Sequence, residues 1–98
     1  MNLEPKYYSL SVAAKKIGDK KIGRNILKDL LEYYGEFEQE KFIELEKQGF
    51  YKEEIIGPYI SCIRLSDLGI DRAKLIINEI KVEYLAYRKN KRNDNAYC

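Results

Sequence analysis

Phe50-Tyr51-Lys52-Glu53-Glu54-Ile55, then Ile56-Gly57-Pro58, then Tyr59-Ile60-Ser61-Cys62-Ile63-Arg64-Leu65 is the stretch that decides the fold. Both flanks are rich in β-branched and aromatic residues, and a Gly-Pro turn signal separates them, so the pattern predicts a β-hairpin. Ser66 follows as a good N-cap, because its hydroxyl can accept a bond from a free amide of the next helix's first turn. That helix is the clearest element of the chain. Ala73, Ile77, Ile80, Tyr84 and Tyr87 recur in steps of four and three, with Ile76 and Leu85 beside them, which reads as a packing seam. The seam is wider than one domain needs on a terminal helix, so it predicts a homodimer formed through these residues.

Upstream of the hairpin the periodicity is helical. Leu10, Ala13, Ala14 and Ile17 predict a short first helix over Lys6–Ile17 that Gly18 closes, with Asp19-Lys20-Lys21 as a turn. Ile26, Leu27, Leu30 and Leu31 predict a second over about Ile22–Tyr34, stopped by Gly35. Phe42 and Leu45 predict a third over about Phe37–Gln48, stopped by Gly49. The expected architecture is mainly α with a β-hairpin wing. Residues 1–92 form one domain, its last helix spans about 66–92, and 93–98 form a flexible tail.

The order helix, helix, helix, hairpin, long helix is that of winged-helix DNA-binding domains. Leu45-Glu46-Lys47-Gln48-Gly49-Phe50-Tyr51 and, after the hairpin, Leu65-Ser66-Asp67-Leu68-Gly69 resemble the "L-E-x-x-G-L-I … L-T-x-x-G" pattern of PadR-like and MarR-like regulators. The likeness covers roughly residues 7–87. It implies a winged helix-turn-helix with a C-terminal dimerisation helix that binds double-stranded DNA as a transcriptional regulator. The length and the richness in Ile, Lys, Glu and Tyr are also similar to small winged-helix proteins of archaeal viruses and plasmids, AspA-like partition proteins among them. That likeness implies an alternative role, coating a centromere together with neighbouring dimers or a partition partner. A winged helix that contacts protein instead of DNA is the third reading.

Which helix reads bases is left open between two registers. The resemblance makes the third helix the reader, with Gln39 and Lys41 on its outer face for adenine, guanine or phosphate. Glu36, Glu38, Glu40 and Glu44 share that helix or its entry, and phosphates repel carboxylates. The second helix has the opposite character. Lys21, Arg24, Asn25 and Lys28 fall on one face opposite its leucines, and Lys20 precedes them, so the first two helices can form the helix-turn-helix one element earlier. Lys52 and Arg64 supply the wing with a weak positive charge, while its tip, Ile55 to Tyr59, is apolar.

Composition bounds the remaining possibilities. The 98 residues are 45% hydrophobic and 35% charged, which fits one globular domain. No apolar run approaches the roughly 20 residues of a membrane span, and Met1–Pro5 lacks the apolar core of a signal peptide, so a cytoplasmic protein without membrane contact is expected. The chain has no histidine, and Cys62 and Cys98 form no CxxC pair, so the usual zinc sites and histidine triads are excluded; no enzyme activity and no cofactor are expected. Cys62 reads as a small packing residue and Cys98 as an exposed thiol. The net charge of +2 is unevenly spread. Residues 1–30 carry seven basic and three acidic groups, residues 31–54 three and eight, and residues 55–98 eight and five. A positive face therefore requires the fold to bring the first and last thirds together.

Overall fold

A computed structural model describes residues 6–58 and 60–96. Its elements run β1 (Tyr7–Tyr8), α1 (Leu10–Ile17), α2 (Arg24–Tyr34), α3 (Gln39–Lys47), β2 (Tyr51–Gly57), β3 (Ile60–Ser66) and α4 (Asp67–Ala96). The fold is mainly helical, with a small antiparallel sheet in the order β1-β3-β2.

The first helix begins later than its apolar spacing predicts. Ser9 is extended and its side chain accepts the Val12 N–H at 3.3 Å, so the helix starts at Leu10. Tyr7 and Tyr8 instead pair with Ser66 and Leu65 of β3. Gly18 ends α1 at φ +78°, a left-handed conformation that a side chain would strain. The second helix also starts late, at Arg24. Ile22 sits in the turn before it as a buried plug, its N–H bonded to the Asp19 carbonyl at 3.0 Å.

The hairpin forms as expected, pairing Tyr51 with Leu65 and Lys52 with Arg64, and onward to Ile55 with Ser61. Gly57 then faces Ile60, which leaves Ile56 as the extra residue of a bulge near the tip. Ser66 caps α4, its Oγ accepting the Gly69 N–H at 3.1 Å while donating to the Gly49 carbonyl. Gly69 lies inside the first turn of α4. A Cβ there would stand 2.1 Å from the Phe50 carbonyl oxygen, so the helix can approach the start of β2 only without a side chain.

The core joins all the helices to the hairpin. Ala13 of α1, Leu27, Leu30 and Leu31 of α2, Leu45 of α3, Tyr51 and Leu65 of the hairpin, and Ile70, Ala73, Ile76, Ile77, Ile80 and Tyr84 of α4 are buried together. This corrects the expected dimer seam. Ala73, Ile77, Ile80 and Tyr84 face the chain's own core, and Tyr87, 44% exposed, leans on the Tyr33 ring at 4.8 Å. The seam is wide because α4 covers both α2 and the sheet. Its backbone runs to Ala96, past the expected end near 92. Cys98 lies outside the described residues.

Candidate nucleic-acid interface

Two concavities meet along α1 and α2. The first, of about 360 Å³, is lined by Ser9, Leu10 and Ser11, by Arg24, Asn25 and Lys28, and by Ser61 to Arg64 of β3. The second is a shallow depression lined by residues of α1 and the following turn, among them Ser11, Lys15, Asp19, Lys20 and Arg24. Ser11 and Arg24 line both, so the two form one continuous groove. Lys15, Lys20, Arg24, Lys28 and Arg64 make it basic. Four of these cations come from the first third of the chain and only Arg64 from the last.

The groove is positioned by local structure. Leu27, Leu30 and Leu31 anchor the inner face of α2, which turns Arg24, Asn25 and Lys28 outward, all three exposed. The turn before α2 is pinned at Asp19. Its carboxylate takes Lys81 Nζ of α4 at 2.5 Å and the Lys21 N–H at 2.9 Å. Chiefly that Lys81 hydrogen bond, and next the Lys21 amide, hold the Asp19 carboxyl below its ordinary range. Lys20 and Lys21 stay exposed on the pinned turn. Arg64 is drawn toward Glu54 across the hairpin, with Nε 2.5 Å from Oε2. Nε is buried there but makes no hydrogen bond of good geometry, so the contact is an ion pair only. Lys52 Nζ sits 5.7 Å from the centre of the Tyr7 ring, on the sheet and outside the groove.

Of the residues predicted to touch DNA, the fold brings Lys20, Arg24, Asn25, Lys28 and Arg64 together. It leaves Gln39 and Lys41 exposed on α3, beside Glu38, Glu40 and Glu44 and away from this groove. Glu36 is not part of that acidic surface. It is fully buried and held by Arg72 and Tyr51. Ser9, Ser11, Lys15 and Ser61 also line the groove, and sequence reasoning did not single them out. Ser11 and Lys15 carried a signal, since they lie one turn apart on the face of α1 opposite Ala13 and Ala14. Cys62 is a half-exposed free thiol at the groove wall and not a core residue.

Among the described residues no cluster of His, Cys, Asp or Glu side chains can hold a metal ion, and no helix is long and apolar enough to cross a membrane. No family model, curated protein or solved structure matches the chain.

Proposed function

We propose that this chain is a winged helix-turn-helix protein that binds double-stranded DNA and acts as a sequence-specific transcriptional regulator. In this reading α1 and α2 form the helix-turn-helix, α2 enters the major groove, and the β2–β3 hairpin is the wing. One observation carries it: Arg24, Asn25 and Lys28 project from one face of α2 into a groove that Lys15, Lys20 and Arg64 make basic. Arg24 suits the paired acceptors of guanine, and Asn25 the acceptor and donor of adenine. Lys15, Lys20 and Lys28 suit phosphates, which fix register without reading sequence, while Arg64 is already paired with Glu54. The acidic outer face of α3 argues against the register in which that helix docks.

Titrating labelled duplex from the DNA flanking the gene, at graded salt, tests this reading. Affinity should fall steeply and log-linearly with salt, as expected when lysines and arginines displace counterions. A chain that binds no duplex at low salt would sink the proposal. The wing tip favours a second reading. Ile55 and Ile56 are 76% and 60% exposed, without a cation at the tip to enter a minor groove. Such a tip suits contact with protein, as in a partition adaptor whose neighbouring dimers touch along the DNA. That reading expects DNA coating that Ile55→Ser with Ile56→Ser abolishes, leaving the binding of a single site intact.

A further inference from the structure

A cleft of about 320 Å³ opens between α2 and the second half of α4 and shares no residue with the basic groove. Three tyrosines floor it. The Tyr33 and Tyr87 rings lie tilted at 4.8 Å, and Tyr84 meets Tyr33 edge-on at 5.5 Å. Each wall then carries charge one helical turn from these rings. On α2, Asp29 precedes Tyr33 by four residues, with Glu32 beside it; on α4, Arg88 and Lys91 follow Tyr84 and Tyr87 by four. The two walls therefore have opposite signs. Among the described residues, none of the four charges makes an ion pair across the cleft. Tyr84 is 2% exposed, yet it lines this space. The phenols of Tyr33, Tyr34 and Tyr51 each donate to a glutamate, at 3.3, 3.1 and 2.7 Å. The Tyr84 phenol bonds no described residue, although a buried tyrosine hydroxyl ordinarily finds a partner. Both walls act on it: burial above all, and then Asp29, push its pKa up, while Arg88 opposes them.

We infer that this cleft binds a free aromatic amino acid as its zwitterion. The charges select the class. An organic cation would suit the tyrosine rings and the carboxylates, but it would meet Arg88 and Lys91. A simple anion would meet Asp29 and Glu32. A molecule with an ammonium and a carboxylate on one carbon answers both walls at once. Its ammonium lies toward Asp29 and Glu32, and its carboxylate lies toward Arg88 and Lys91. The Tyr84 hydroxyl then donates to that carboxylate, a charge-assisted bond that gives the buried phenol its missing partner. The side-chain ring packs on Tyr33 and Tyr87 in the offset or edge-on manner that aromatic pairs prefer. The volume is at the small end of ligand pockets, which span roughly 300–1,000 Å³, a size for one amino acid and not for a peptide. This assignment stands independently of whether the groove binds DNA.

L-tryptophan is the probe, because the chain has no tryptophan of its own and the ligand's indole fluorescence reports binding without background. Titration of the full chain, without DNA, should show saturable binding at one molecule per chain. Tryptamine lacks the carboxylate and indolepropionate lacks the ammonium, so each should bind about tenfold or more weakly. Tyr84→Phe should weaken L-tryptophan about tenfold and leave tryptamine unchanged, since the hydroxyl serves the carboxylate. Arg88→Gln with Lys91→Gln should make tryptamine the preferred ligand, and Asp29→Asn with Glu32→Gln should do the same for indolepropionate. Each exchange is a gain of binding, which a misfolded variant cannot produce. Absence of saturable L-tryptophan binding at millimolar concentration overturns the inference. So do three probes that bind alike, or paired substitutions that leave the order of preference as it was.

Discussion

The Tyr51 hydroxyl donates a 2.7 Å hydrogen bond to Glu36 Oε1, and both side chains are fully buried. Arg72 closes the arrangement, with Nη2 3.1 Å from Glu36 Oε2 and Nε on Oε1, while its guanidinium rests over the Phe50 ring. One carboxylate thus ties the segment between α2 and α3 to the hairpin and to α4. A buried carboxylate persists only when its oxygens are satisfied, and here two donors from separate elements satisfy them. Replacing Arg72 with Met should cost about 3–5 kcal/mol, because Glu36 would be left buried without its counter-ion. Urea unfolding at neutral pH measures this. A loss below about 1 kcal/mol would mean that water reaches Glu36.

The same arrangement sets the alkaline limit of the fold. Burial above all, and then the Glu36 carboxylate, raise the Tyr51 phenol well above its ordinary value of 10.0. The unfolded chain releases this proton near pH 10, while the folded chain keeps it. The contribution is therefore whole below pH 10 and declines as pH rises beyond it, by about 1.4 kcal/mol per pH unit for one proton. Tyr51→Phe should be less stable at pH 8 and should lose stability less steeply between pH 10 and 11. Parallel curves for the two proteins would contradict the assignment.

Asp19 acts at the acid end with the opposite sign. Its carboxyl is held below 3.8, chiefly by Lys81 and then by the Lys21 amide, so its contribution is present above the unfolded value and fades as pH falls through the folded one. Asp19→Asn should flatten the acid limb of a melting-temperature profile below pH 4. It should also free the α1–α2 turn from α4, which amide exchange of Lys20 and Lys21 would register as faster opening.

Gly69 makes a sharper structural prediction. A Cβ at this position would meet the Phe50 carbonyl oxygen at 2.1 Å, and that oxygen belongs to backbone already bonded by the Ser66 N–H at 3.1 Å. Neither partner can give way cheaply. Gly69→Ala should cost at least about 1–3 kcal/mol, although alanine is the better helix former. A stabilised variant would show that α4 can slide away from β2.

Much of this fold was legible because its signals are local. Gly18 and Gly35 stop their helices, Gly57-Pro58 turns the hairpin, and Ser66 caps α4, all within a few residues. What escaped the sequence depends on distant partners. Tyr7 and Tyr8 become a strand only because Leu65 and Ser66 lie beside them, and Gly69 is required by a carbonyl of the preceding hairpin. The α4 seam had the correct period and the wrong destination, since spacing alone does not distinguish a chain's own core from a partner. Glu36 joined a row of acidic residues in the sequence, yet Arg72 draws it inside. The groove was half legible, because the one-sided pattern on α2 is local but its junction with Arg64 and Ser61 of β3 is not.

The two registers for DNA contact differ in their mutational signature. With α2 as the reader, Arg24→Ala should cost about 1–3 kcal/mol in affinity and relax the preference at one base pair. Lys20→Ala with Lys28→Ala should weaken binding to every sequence alike and lower the salt slope by about two, one for each phosphate that no longer has a lysine beside it. Gln39→Ala and Lys41→Ala should change neither, because both lie outside the groove among carboxylates. All of these side chains are exposed, so the melting temperature should stay within about a degree or two of the wild type, and any loss of binding belongs to the interface. Fluorescence anisotropy on one operator and on single-base variants separates the outcomes. Loss of preference in Gln39→Ala, with Arg24→Ala silent, would move the reading helix to α3 and leave the groove along α1 and α2 without a role in recognition.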